Sequence, residues 1–174
     1  MTTSHRFHLI GIGGAGMSVV AELLKDRGLE VSGSDQKDSP VLDHLRSVGV
    51  KVFVGHDASH VPAGSVVVVS TAVRETNPEL AYARKEGLRV IHRSQALALA
   101  ASGMRFVAVA GAHGKTTTSG MLSMALRQAG ADPSIAVGSV IPELGSGAHL
   151  GSGDIFVAEA DESDGSFLNY TPWI

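Results

Sequence analysis

The chain has 174 residues, 44% of them apolar and 5% aromatic, with 21 glycines, no cysteine and a formal net charge of −3. This composition suits a layered α/β protein of one or two domains and excludes disulfides and thiolate metal sites. The charge gives no reason to expect nucleic acid, and no apolar run is long enough for a membrane span, so we expect a cytoplasmic protein without a membrane partner.

The first predicted element is a buried strand over residues 7–12, which runs into the glycine turn 11–16 of the form G-x-G-x-x-G. The helix that follows has one apolar face, formed by Met17, Val20, Ala21 and Leu24. A second strand, 29–33, then leads to Asp35. This order of strand, glycine turn, helix, strand and acid is the Rossmann fingerprint, and it predicts that a diphosphate binds at the start of the helix.

Strands and helices continue to alternate as far as residue 100, where we place a domain boundary. Ser39-Pro40 and Asn77-Pro78 are typical helix starts, in which an N-cap residue precedes proline. The first of these helices is predicted to bury Val41, Leu45 and Val48. The run Val66–Val69 is apolar throughout, as in a parallel strand buried on both faces. The alternation predicts a doubly wound parallel sheet.

Ligands of such a sheet gather at the carboxyl ends of its strands. The polar residues that follow the predicted strands are Asp35, His56, Asp57, Ser70, Thr71, His92 and Arg93. Each also has a structural explanation, as a helix cap, a partner for loop backbone or a solvated side chain. Asp35 and His56 are the strongest candidates for ligand contact.

A second glycine loop, of the form G-x-x-G-K-T, follows the predicted strand 105–110 and runs from Gly111 to Thr116. Backbone N–H groups at the start of a helix bind phosphate, and the helix dipole adds positive potential there. Lys115 is placed to reach the β- and γ-phosphates of a nucleotide, and the Thr116 hydroxyl to bind Mg²⁺. A turn that only joins strand to helix would not explain lysine and three threonines at this position.

The helix after this loop is predicted to bury Met121, Leu122, Ala125 and Ala129. A strand over 134–137 follows, and 145–153 is expected to be a glycine-rich surface loop. The next strand, 154–159, ends in an acidic cluster of Glu159, Asp161, Glu162 and Asp164. This cluster is either a solvated turn or a source of metal ligands. Mg²⁺ on a nucleotide needs a carboxylate from a strand end beside the phosphate loop, and Glu159 has the best position for that role.

Four segments together resemble the Mur ligases of peptidoglycan synthesis: residues 8–18, 69–72, 111–118 and 159–167. The resemblance implies a Rossmann-like UDP-sugar domain over 1–100 and the first part of a P-loop ATPase domain over 101–174. A further domain for the amino acid is expected beyond the chain. Because the sequence stops inside the expected ATPase domain, we expect these residues to be a fragment that is inactive alone.

The resemblance also implies the reaction, in which ATP drives the joining of L-alanine to the carboxylate of UDP-N-acetylmuramate through an acyl phosphate. The implied ATP-binding residues are Gly111, Ala112, His113, Gly114, Lys115, Thr116 and Thr117. Lys115 and Glu159 are the implied catalytic residues, and Thr116 and Glu159 the Mg²⁺ ligands. The implied UDP-sugar contacts are Gly11, Gly13, Gly14, Ala15, Gly16, Met17, Ser18, Asp35, His56, Ser70 and Thr71.

Two other functions remain open from the residues alone. A dinucleotide-binding oxidoreductase or redox-sensing module, using NAD or NADP, would account for the first glycine turn and Asp35. It leaves the second glycine loop and the acidic cluster unexplained. A nucleotide-binding regulatory module without chemistry is the third possibility.

Overall fold

The computed structural model describes residues 6–160 and 170–174 and divides into two compact units, Met1–Ala96 and Leu97–Ile174. Each unit contains its own β-sheet. Within the described ranges, no helix is both long enough and apolar enough to cross a membrane.

The first unit is a parallel sheet of five strands in the order β3-β2-β1-β4-β5. Its strands are β1 (Arg6–Ile10), β2 (Glu30–Asp35), β3 (Lys51–Val54), β4 (Val66–Val69) and β5 (Val90–His92). The helices are α1 (Ala15–Asp26), α2 (Pro40–Ser47) and α3 (Pro78–Lys85), with a 3₁₀ turn at Ala58–His60, and α4 (Arg93–Ala100) crosses the unit boundary. This strand order confirms the predicted Rossmann-like fold, because the connections reverse direction between β1 and β4.

The local signals for the helices of the first unit are confirmed with one exception. All four predicted core residues of α1 are buried, and Ser39 and Asn77 cap α2 and α3 by accepting backbone N–H groups. The predicted face of α2 is wrong in part, since Val41 and Val48 are each 37% exposed. Leu45 is fully buried as predicted, together with Leu42 one turn away, and this pair leaves the two valines at the edge of the core.

The second unit is a four-stranded sheet in the order β6-β9-β7-β8. Its elements are β6 (Arg105–Val109), α5 (Lys115–Gln128), β7 (Ser134–Ile141), β8 (Ser146–His149) and β9 (Ile155–Glu159). The pairs β6·β9 and β9·β7 are parallel, whereas β8 runs antiparallel to β7. The sheet therefore places the carboxyl ends of β6 and β9 beside each other, with the second glycine loop after β6.

The predicted surface loop over 145–153 is wrong, because it contains β8, which pairs with β7. The glycines there permit close approach of backbone. A Cβ at Gly147 would overlap the carbonyl oxygen of Val137, and one at Gly151 would overlap that of Asp132. Glycine inside a strand commonly marks such a contact, and this was the missed signal.

The predicted buried face of α5 is also wrong. Met121 is 70% exposed, and Ala125 and Ala129 are exposed as well, whereas Leu122 is half-buried. The buried positions of the helix are Ser119 and Ser123. Small side chains at these two positions allow the helix to lie close to the sheet. Because serine is polar, a search for apolar residues gave the wrong face.

Two glycine substitutions in the second unit test this account of the backbone contacts. Gly147→Ala places a methyl group against the Val137 carbonyl and is expected to lower the free energy of unfolding by about 1–3 kcal/mol. Gly120→Ala is the matched control, since Gly120 lies within α5 with nothing within 4 Å of an added Cβ. It is expected to stabilise the unit by up to about 1 kcal/mol.

The measurement is urea denaturation followed by fluorescence of Trp173, the single tryptophan of the chain, whose backbone N–H donates to the Phe106 carbonyl of β6. Equal unfolding midpoints for the two variants would contradict the assignment of Gly147 to a close backbone contact.

Candidate functional site

A cleft of about 660 Å³ opens in the first unit at the start of α1, beside the carboxyl ends of β1, β2 and β4. Six of the residues predicted to bind the UDP-sugar line it, namely Gly11, Gly14, Met17, Asp35, His56 and Ser70. They come from four separate parts of the chain, which the parallel sheet brings to one edge. The cleft is therefore the candidate site of the first unit.

The glycine turn of this cleft is fixed from both sides. Gly11 has a φ of +78°, which favours glycine, and the N–H groups of Gly11 and Ile12 both donate to the Ser34 carbonyl. Asp35 accepts a hydrogen bond from the Gly13 N–H at 2.9 Å. Gly14 is the N-cap of α1 and provides no side-chain cap, so the first N–H groups of the helix are available to an anion.

The other predicted residues of this site have different positions. Ala15 and Gly16 form the first turn of α1 but do not line the cleft. The Ser18 side chain is buried, and its hydroxyl donates to the Ala15 carbonyl at 3.0 Å. Thr71 is exposed and lies outside the cleft lining.

Two arginines lie at this site. Arg93 was among the polar residues that follow the predicted strands but not among the implied UDP-sugar contacts, and Arg74 was not singled out. The Arg93 guanidinium lies against the first turn of α1, where a Cβ on Gly16 would overlap its Nη1. Arg74, in the loop after β4, lines the cleft. Arg93 directly follows β5, which was the available signal, whereas nothing in the sequence around Arg74 points to a ligand. Both cations favour binding of a diphosphate.

Behind the cleft lies a buried carboxylate, Glu79, which directly follows the predicted helix start Asn77-Pro78 and was not predicted to belong to a site. Its Oε2 accepts from the Ser34 hydroxyl at 2.5 Å and lies 3.4 Å from Nε2 of His8. Its Oε1 accepts from the Asp57 N–H at 3.2 Å and lies 3.2 Å from Nδ1 of His60. Burial alone would raise the pKa of the Glu79 carboxyl, but the hydrogen bonds from His8 and Ser34 lower it below its usual value, so the group is ionised.

In the second unit, the loop between β6 and α5 has the geometry of a phosphate-binding turn. Gly111 and Gly114 have φ values of +146° and +80°, which require glycine, and Gly114 is an N-cap without a side-chain cap. Ala112 and His113 are exposed in the turn. Lys115 donates from Nζ to the Gly111 carbonyl at 2.7 Å and so lies across the loop.

A second cleft, of about 430 Å³, lies between α5 and the β7–β8 hairpin. Thr116 and Thr117 line it from the helix, Ser139 from β7 and Glu143 from the connection between the strands. The two threonines, whose N–H groups belong to the first turn of α5, connect this cleft to the glycine loop.

Glu159 ends β9, next to β6, and its Oε1 is buried without a hydrogen-bond partner among the described residues. Such an orphaned carboxylate oxygen fits a hard cation such as Mg²⁺. Over residues 6–160 and 170–174, no cluster of three or more metal-binding side chains occurs. Asp161, Glu162 and Asp164 lie outside the described residues.

Comparison with known proteins agrees with this architecture. A family model described as Mur ligase family, catalytic domain, matches residues 6–105. Curated UDP-N-acetylmuramate–L-alanine ligases from Renibacterium salmoninarum and Kineococcus radiotolerans are 57% and 58% identical over 97% and 96% of this chain. The chain spans 36% of the length of each of these relatives.

Two solved structures show the same fold. The UDP-N-acetylmuramate-alanine ligase of Thermotoga maritima gives a TM-score of 0.87 at 31% identity over 96% of this chain and 39% of its own. A UDP-N-acetylmuramate:L-alanyl-gamma-D-glutamyl-meso-diaminopimelate ligase from Neisseria meningitides gives a TM-score of 0.88. It is 32% identical, and the match covers 96% of this chain and 58% of its own. Since the family model covers more than half of the chain and these relatives match nearly all of it, the chain belongs to the Mur ligase family.

Proposed function

We propose that this chain is part of an ATP-dependent ligase of peptidoglycan synthesis that joins L-alanine to the carboxylate of UDP-N-acetylmuramate. The observation that carries the proposal is the presence of two uncapped helix N-termini after glycine turns, one in each unit. The high identity to relatives named for this reaction supports the choice of substrates. A dinucleotide oxidoreductase would leave the second of these sites without a role.

The cleft of the first unit is proposed to hold UDP-N-acetylmuramate. The N–H groups at the start of α1 face the diphosphate, and Arg74 and Arg93 balance its charge. Asp35 already accepts the Gly13 N–H, so its role is to shape the turn as well as to contact the ligand. The remaining contacts are proposed from Gly11, Met17, His56 and Ser70, which line the cleft.

The second unit is proposed to bind ATP and Mg²⁺. The turn from Gly111 to Gly114 and the first residues of α5 would surround the phosphates. Thr116 and Glu159 would hold the metal, which would supply positive charge at the phosphates. A carboxylate oxygen of the muramate attacks the γ-phosphorus, the bond to the bridging β–γ oxygen breaks and ADP leaves. The alanine amine then attacks the acyl carbon, loses a proton and displaces phosphate. L-alanine is proposed to bind beyond residue 174.

In this reaction Lys115 stabilises the migrating phosphoryl group by its charge and position. Lys115→Ala in the full-length protein is expected to lower kcat/KM by an amount equivalent to about 3 kcal/mol, the usual cost of removing one electrostatic group from a reacting centre. Lys85→Ala, which removes an exposed lysine at the end of α3, is the control and is expected to leave kcat/KM unchanged. A Lys115→Ala enzyme within threefold of wild type would contradict the assignment.

The substrate of the first unit is tested by calorimetric titration of this chain with UDP-N-acetylmuramate and, in parallel, with NADH. We expect heat of binding for the UDP-sugar and none for NADH. Both ligands carry a diphosphate, but Asp35, the acid that would bind the ribose of NADH, is already bonded to the glycine turn. Binding of NADH without binding of the UDP-sugar would contradict the proposal.

A further inference from the structure

The Glu79 carboxylate is fully buried in the first unit, and over the described ranges its partners are a serine hydroxyl, a backbone N–H and three histidines, without a lysine or arginine. A buried charge is costly unless it is paired and hydrogen-bonded. Of the three histidines, His8 is fully buried and His60 stacks on Phe53, whereas His56 lines the cleft. Glu79 is thus connected to the candidate ligand site through His56.

The single proton of the Ser34 hydroxyl fixes the direction of each hydrogen bond between Glu79 and His56. The Ser34 hydroxyl has one proton, and the ionised Oε2 of Glu79 lies 2.5 Å away, so the hydroxyl donates to it. Ser34 must then accept from Nδ1 of His56, which lies 2.9 Å away. The proton of a neutral His56 is therefore on Nδ1, and Nε2 is the nitrogen that remains for the cleft.

We propose that Glu79 is a positioning residue, which acts through the Ser34 hydroxyl to hold the His56 ring at the cleft, so that Nε2 of His56 takes up a proton when the diphosphate of the UDP-sugar binds. This inference rests on the proposed function of the first unit. With Nδ1 already protonated, a neutral His56 would present the lone pair of Nε2 to the anion. Uptake of one proton from solvent converts Nε2 into a charged donor, with Glu79 Oε2 3.6 Å from Nδ1 as its counter-charge.

Several charged groups lie on the elements around His56. They are Glu79 on α3, Asp35 at the end of β2, Asp57 after β3 and Arg74 on the loop after β4. His8 on β1 and His60 contact Glu79 at 3.4 and 3.2 Å and compete for its charge. Among these histidines only His56 shares the cleft with the ligand, so binding of an anion selects the proton on His56.

The first experiment measures proton uptake when this chain binds UDP-N-acetylmuramate, by calorimetry in buffers of different ionisation enthalpy from about pH 6 to pH 8, the range in which histidine titrates. We expect uptake of up to one proton and an affinity that falls by as much as tenfold per pH unit on the alkaline side. Glu79→Gln and Ser34→Ala are each expected to reduce both effects. His60 contacts the same carboxylate from outside the cleft, so His60→Gln is expected to leave the proton uptake and the pH dependence of the affinity unchanged.

Equal proton uptake in wild type, Glu79→Gln and Ser34→Ala would overturn the inference. Uridine, which lacks phosphate, is the ligand control and is expected to bind without proton uptake. The second experiment needs no ligand: ¹⁵N NMR of the imidazole nitrogens, in which wild type at high pH is expected to show the His56 proton on Nδ1 and Ser34→Ala to lose this preference.

A proton on Nε2 of His56 in the free wild-type chain would overturn the positioning role and leave the proposed function untouched. Failure of the wild-type chain to bind the UDP-sugar would instead contradict the proposed function, and the NMR result would still decide the role of Glu79. If Glu79→Gln does not fold, Ser34→Ala provides both readouts, because it removes the hydroxyl and keeps the buried charge.

Discussion

Backbone N–H groups at uncapped helix N-termini are the interaction on which both candidate sites depend. Each helix begins at a glycine, Gly14 or Gly114, which offers no side chain to its first N–H groups. A serine or asparagine side chain at an N-cap usually stabilises a helix by about 1 kcal/mol. Ser39 and Asn77 are placed to do this for α2 and α3. At the two sites this stabilisation is absent, and the N–H groups are left for an anion.

Charge is distributed around these two helix starts in different ways. In the first unit, Arg74 and Arg93 lie at the surface of the site, and the buried Glu79 acts behind it through His56. In the second unit, Lys115 lies across the glycine loop, and Glu159 ends a neighbouring strand with a buried oxygen that has no hydrogen-bond partner in the described part of the chain. The first arrangement suits a bound diphosphate that stays intact, and the second suits a phosphoryl group that moves, since it combines a lysine with the carboxylate that is proposed to hold Mg²⁺.

Much of the fold could be predicted because its signals are local. The glycine turns, the proline-marked helix starts and the apolar β4 each depend on neighbouring residues. The errors concern long-range contacts: α5 packs through Ser119 and Ser123, and β8 was hidden by glycines that admit backbone from β7. Glu79 was missed as part of the site for the same reason, since its partners Ser34 and His8 are 45 and 71 residues away in sequence.

Solved ligases with different named substrates match this fold with TM-scores of 0.87 and 0.88, so the substrates proposed above rest on the sequence identity to the curated relatives. The central claim is that the two glycine loops bind different ligands. The most direct test is backbone amide NMR of this chain with UDP-N-acetylmuramate and, separately, with ATP and Mg²⁺. The account predicts shifts at Gly11–Met17 for the first ligand and at Gly111–Thr117 for the second. Shifts of the same loop by both ligands would contradict it.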